Sequence, residues 1–298
     1  MKTLKGSLEG KSMFAQLLVF LAVMLLSAGI CLSAFVWLFG GSMSQTATLM
    51  AMQVVQTVAV FLVPCALTAY LFSSSPMRYL SADKAPNWKS SVAVVVTMLL
   101  LQPAINLLGH LNEQIGLPES LSGLEQMLKQ MEEQAQLLIE RFMQAQGVGG
   151  FLLNIVVIAL LPAIAEELCF RGSLQRIFSA NGKQVAAIWV CAILFSAVHF
   201  QFYGFLPRML MGAFFGYLLV WSDSLWLPVL AHFTNNATVV VLYYIFSARQ
   251  MSTDVLDTLG TGETLWMGIV SMLLVVPAVW LCRRLALAAT SGKSGSRQ

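Results

Sequence analysis

The sequence predicts an all-α integral membrane protein, a bundle of about eight transmembrane helices with one amphipathic helix outside the membrane. Three observations carry this. Apolar residues (Ala, Val, Ile, Leu, Met, Phe, Trp, Tyr, Cys) make up 58% of the 298-residue chain. Charged residues make up only 10%, against about 25% in soluble domains, too few to cover a soluble surface of this size. The apolar residues are also gathered into runs long enough to cross about 30 Å of hydrocarbon.

The runs occupy residues 14–39, 47–72, 91–111, 150–169, 185–199, 206–221, 225–246 and 265–281. The first follows a basic segment but is too long for the apolar stretch of a signal peptide, so it reads as the first spanning helix. Between the third and fourth runs, Leu124, Leu128, Met131, Ala135, Leu138 and Phe142 recur from Leu121 by steps of three and four. This narrow stripe marks an amphipathic helix lying on the outer interface, bounded near 118–122 and 147–150. Residues 290–298, rich in Ser, Gly, Lys and Arg, are expected to be disordered. The domain reading is one polytopic unit over 1–289, with an extracytoplasmic loop at 112–147, core helices at 150–246 and a short tail.

Loop charge sets the orientation. With the N-terminus in the cytoplasm, Lys2, Lys5, Lys11, Arg78, Lys84, Lys89, Arg171, Arg176, Lys183, Arg283, Arg284, Lys293 and Arg297 fall inside, and only Lys129, Arg141, Arg208 and Arg249 outside. This bias predicts that both termini are cytoplasmic, and the short loops and lack of a targeting sequence point to a multi-pass protein of a bacterial plasma membrane. The net charge of +3 makes no case for nucleic acid. Cys31, Cys65, Cys169, Cys191 and Cys282 lie in or beside apolar runs without paired spacing, as small buried hydrophobes do.

Ionisable residues within membrane spans are costly and mark function. The fourth run leads into Glu166-Glu167 and Arg171, the fifth ends in Phe195 and His199, and the seventh carries His232, Asn235 and Asn236. The fourth helix has no break before Asn181-Gly182. Glu166 lies 16 residues before Gly182 and His199 lies 17 after it. At 1.5 Å per residue both climb about 25 Å from one turn and come level. Glu167 and Arg171, spaced i and i+4, suit an ion pair. Glu166, about 100° round the helix, is then free to face another helix. His232 and Asn236 share a helix face, with Asn235 as the rival amide. The short sixth run, followed by Asp223-Ser224 as an N-cap, sets a polar turn inside the inner leaflet, which calls for a water-filled cavity open to the cytoplasm.

Glu166-Glu167-x-x-x-Arg171, Phe195-x-x-x-His199 and His232-x-x-x-Asn236, in this order on successive membrane helices, resemble the three-motif signature of the CAAX protease and bacteriocin-processing (CPBP, or Abi) family. This family of intramembrane endopeptidases includes the type II CAAX prenyl endopeptidases. The resemblance implies peptide-bond hydrolysis in the membrane, with Glu166 and His199 activating a water and His232 and Asn236 stabilising the oxyanion. Glu167 and Arg171 would organise the helix and bias Glu166.

The implied partners are a membrane-anchored peptide or protein substrate and the lipid bilayer. No cofactor is expected. A zinc enzyme would use Glu166, His199 and His232 as a His₂Glu ligand set; the metal-free reading is favoured because Asn236 and Arg171 have no ligand role. A transporter or non-catalytic scaffold is the other class. No repeat relates the two halves, as a transporter would show, and a scaffold gives no reason to keep every catalytic residue type. Nothing in the sequence sets an oligomeric state.

Overall fold

A computed structural model describes residues 4–42, 45–115, 118–144 and 147–294, and all regular structure among them is helical. The main helices are α1 (Met13–Phe39), α2 (Thr46–Phe72), α3 (Trp88–Glu113), α4 (Ser122–Met143) and α5 (Gly147–Ser179). They continue with α6 (Gln184–Ala197), α7 (Phe205–Ser222), α8 (Trp226–Ala248) and α9 (Leu265–Ser294). Among the described residues seven of these are long and apolar enough to cross a membrane. The remaining expected span, α6, is apolar but has only 14 residues, about 21 Å of helix.

The helices are not uniform. In α2 and α5, π-helical turns at Val58–Leu62 and Ile155–Leu160 lie just ahead of Pro64 and Pro162. A proline cannot donate the i to i−4 bond, and the preceding turn widens to accommodate the loss. A third π turn, Leu168–Leu174, begins directly after Glu166-Glu167. Such turns concentrate at functional positions.

Hydrogen bonds sort the connections onto two faces. On one, Leu8 N donates to Leu71 O at 2.9 Å and Arg176 Nη1 to Tyr79 O at 2.6 Å. On the other, Asn112 Nδ2 donates to Phe202 O at 2.7 Å and Asn106 Nδ2 to Leu259 O at 3.0 Å. The α6–α7 hairpin packs tightly. A methyl group on Gly212 would stand 3.2 Å from Phe195 Cδ1 and 3.3 Å from Ala192 Cα. Gly212 and Gly216, one turn apart, provide the close approach that membrane helices obtain from small residues.

Three details differ from the sequence reading. Asp223 and Ser224 do not cap α8. Asp223 ends α7 in the left-handed conformation at φ 51°, and the buried Ser224 hydroxyl donates to Lys84 O. The turn they form is covered by the 81–84 loop, with Leu225 N donating to Ser81 O at 2.8 Å and Trp226 Nε1 to Ala82 O at 2.9 Å. Its polar groups are therefore satisfied by protein. A cavity of about 620 Å³ lies beside it, lined by Asp223, Arg171, Gln175 and Arg176 among others. The amphipathic helix ends at Met143, and Gly147 opens α5 at φ 76°. Finally, α9 continues to Ser294 beyond the expected start of the tail, because the Leu-Ala-rich stretch at 285–289 favours helix. Residues 295–298 lie outside the described residues.

Candidate active site

Glu166 and Glu167 sit near the middle of α5, and the i to i+4 spacing of Glu167 and Arg171 forms the expected pair. Arg171 Nη1 donates to Glu167 Oε1 at 2.9 Å, with both side chains fully buried. The arginine is further committed: Nη2 donates to Gly212 O at 2.8 Å, and the guanidinium carbon lies 4.5 Å from the Phe195 ring centre and 5.3 Å from that of Phe215. A lone buried charge would cost several kcal/mol. Here it is met by a carboxylate, a carbonyl and aromatic faces.

The long-range partner of Glu167 is His232. Its Nδ1 lies 2.9 Å from Glu167 Oε1, the oxygen that also receives Arg171. His199 Nδ1 lies 2.7 Å from Phe195 O. A carbonyl oxygen and an ionised carboxylate only accept, so Nδ1 carries the proton in both rings. Each Nε2 is thereby left for chemistry, and both face one atom. Glu166 Oε2 is 3.9 Å from His199 Nε2 and 4.0 Å from His232 Nε2. That oxygen is buried with no hydrogen-bond partner. Gaps of this size are too long for direct hydrogen bonds and suit one bridging water.

Phe195 is the hub of this cluster. Its ring meets His199 edge-on at 5.1 Å and His232 at 5.8 Å, while Phe215 stacks on His232 at 5.4 Å. The rings pack against both imidazoles. Asn236 stands one turn further along α8, where Nδ2 donates to Ile158 O at 3.4 Å and Oδ1 accepts from Asn235 Nδ2 at 3.1 Å. Asn235 instead faces α3, accepting from Gln102 Nε2 at 3.2 Å. The rival amides thus address different helices, and Asn236 is the one turned to α5.

The structure therefore brings together Glu166, Glu167, Arg171, His199 and His232, with Asn236 beside α5. The motifs do not mark Gln102, a lone amide in an apolar run, or Gln175, which donates to Gly216 O at 3.2 Å. They also leave out Arg208, which the topology reading counts as a loop charge. Among the described residues no group of three His, Cys, Asp or Glu side chains could hold a metal ion. A tetrahedral zinc with ligand bonds of about 2.0–2.2 Å holds neighbouring ligand atoms about 3.4 Å apart. The gaps around Glu166 are 3.9 and 4.0 Å, somewhat wider than that.

Comparison with known proteins bears on this segment. Residues 148–238 match the family model for Rce1-like type II CAAX prenyl endopeptidases. Over 88 residues the chain is 30% identical to the uncharacterised protein YpbD of Bacillus subtilis, covering 28% of this chain and 42% of YpbD. The chain thus spans less than half the length of that relative. No solved structure matches.

Proposed function

We propose that the chain, whose residues 148–238 match the Rce1-like type II CAAX prenyl endopeptidase family model, is an intramembrane endopeptidase of the glutamate type. The observation that carries this is the convergence of two imidazole Nε2 atoms on the unpartnered Oε2 of Glu166. A water held in that space would donate one hydrogen to Glu166 and be oriented by His199. Glu166 takes the proton as the water oxygen attacks the scissile carbonyl carbon. The proton then passes to the leaving nitrogen as the C–N bond breaks.

His232 Nε2–H, when protonated, and the second amide hydrogen of Asn236 supply the positive edges toward which an oxyanion would develop. Glu167 holds His232 in position through Nδ1, and Arg171 holds Glu167. The substrate in this reading is a membrane-anchored peptide or protein, reached within the bilayer. No cofactor takes part.

The test is cleavage of membrane-anchored peptides by purified protein in detergent, with Glu166→Gln as the comparison. This variant keeps size and hydrogen bonding but removes the base, so it should elute and melt like wild type while turnover falls by at least about 100-fold. Near-wild-type turnover would remove Glu166 from the role. Stoichiometric zinc in active protein, lost together with activity on chelation, would overturn the metal-free mechanism.

A further inference from the structure

Arg208 is a half-buried cation beside this site that none of the proposed chemistry uses. Its place follows from helix register. Arg171 bonds Gly212 O and Gln175 bonds Gly216 O, so α5 and α7 run parallel at a constant offset of 41 residues. One turn earlier, that offset puts Glu167 level with Arg208, which shares its helix face with Gly212 and Gly216 at i, i+4 and i+8.

The guanidinium is folded back over the turn that carries His199. Nη2 donates to Gln201 Oε1 at 2.6 Å, and Nη1 reaches Gln201 O at 3.5 Å. Gly204 leaves the room for this, since a Cβ there would stand 2.8 Å from Nη2. Glu166, His199 and, from α4, Glu132 all lie within reach of its charge. Among the described residues, however, no carboxylate forms an ion pair with it. Arg171 has its charge met by a carboxylate, a carbonyl and rings; Arg208 is held in place by neutral acceptors alone. An intramembrane cation kept without a counter-ion marks a functional position.

We propose that Arg208 is a specificity-determining residue that receives a carboxylate of the substrate in a subsite flanking the scissile bond. The guanidinium forms no direct contact with Glu166 or either histidine, which sets it beside the reacting carbonyl rather than on it. Nη1 and Nη2 each give one hydrogen to Gln201, so Nε–H and the second hydrogen of each Nη are left to meet the paired oxygens of a carboxylate. The carboxylate has two sources, an acidic side chain or a free chain end. This inference rests on the endopeptidase reading for its substrate but is tested by binding alone.

The probe is a fluorescein-labelled apolar peptide of about 20 residues, made in three forms: one with a glutamate near an amidated end, one neutral with a free C-terminus, and one neutral and amidated. Affinities are measured by anisotropy on Glu166→Gln protein in detergent. We expect one carboxylate form to bind about tenfold tighter than the neutral amidated form, and which one it is identifies the source. Adding Arg208→Gln should erase the difference. Gly204→Ala should shrink it several-fold, because the new methyl displaces the guanidinium while the backbone at φ −92° accepts alanine. The alanine variant decides the matter if the Gln variant does not fold. Equal affinity for all three peptides, whether tight or undetectable, overturns the subsite, as does a preference that survives Arg208→Gln or is untouched by Gly204→Ala. Carboxylate-dependent binding by a chain whose wild type cuts no peptide would instead sink the endopeptidase reading and leave the subsite standing.

Discussion

Arg171 and Glu167 show how one residue pair can hold a site it does not act in. The carboxylate has two demands on it, to neutralise Arg171 and to accept from His232, and it meets both through Oε1. Removing the guanidinium leaves a buried carboxylate with only an imidazole, and breaking a buried pair from one side costs about 3–5 kcal/mol. Arg171→Ala and Glu167→Gln should therefore each lower yield and melting temperature, the first by leaving Glu167 without its cation and the second by leaving Arg171 without its anion. Equal melting of Arg171→Ala and wild type would show the pair to be unimportant. The pair is legible in sequence because its spacing is local. The bond from His232 to Glu167 is not, because it crosses 65 residues and depends on how far along α8 the chain turns back. Arg208 was hidden for another reason. Charge counting assigns each basic residue to a loop, and only the fold shows one of them turned inward.

At the scale of elements, α4 is the piece whose periodicity reads cleanly and whose docking does not. Its stripe of threes and fours gives the helix, but the contacts that seat it are polar. Glu132 Oε2 accepts from Tyr203 N at 3.1 Å, and Glu125 Oε1 accepts from Tyr203 Oη at 3.4 Å, close to the His199 turn. Burial pushes the Glu132 carboxyl above its ordinary value, partly offset by the Tyr203 amide and the Arg208 charge, with Glu113 adding to the rise. Glu125 is held below its ordinary value by Lys129, so it stays ionised through the window in which Glu132 titrates.

A carboxyl raised in the docked state binds its proton more tightly there. Its contribution to docking is full below the free-carboxyl value near 4.5 and is lost as pH rises through the docked value. Amide exchange across α4, corrected for intrinsic rates, should show less protection at pH 7.5 than near pH 5. Glu132→Gln should flatten that dependence. Unchanged pH dependence in the variant would assign it to another group. The span reading counts α6 among its eight runs, but the helix has only 14 residues: hydropathy shows that a run is apolar but not where its neighbours end, and the hairpin is closed by Asn112 from α3.

For the whole molecule, the two faces defined by hydrogen bonds give the charge bias a structural meaning. The 4–12 segment, the 73–87 connection and the 180–183 and 223–225 turns share one face, knit together by bonds such as Arg176 to Tyr79 O and Ser224 to Lys84 O. The α4 helix and the 198–204 turn share the other. Most basic residues lie on the first face, and two that blur the count, Arg171 and Arg208, belong to the bundle interior rather than to either loop set. Removing them leaves the bias intact, and from it we propose that the first face is cytoplasmic. Cysteine labelling in a cysteine-free background tests this. Asn181→Cys, on an exposed turn of the first face, should react with a membrane-impermeant maleimide in inverted vesicles and stay silent in intact cells. Gln126→Cys, exposed on α4, should react in intact cells instead. The reverse pattern would invert the protein in the membrane and turn α4, with the Arg208 side of the site, toward the cytoplasm.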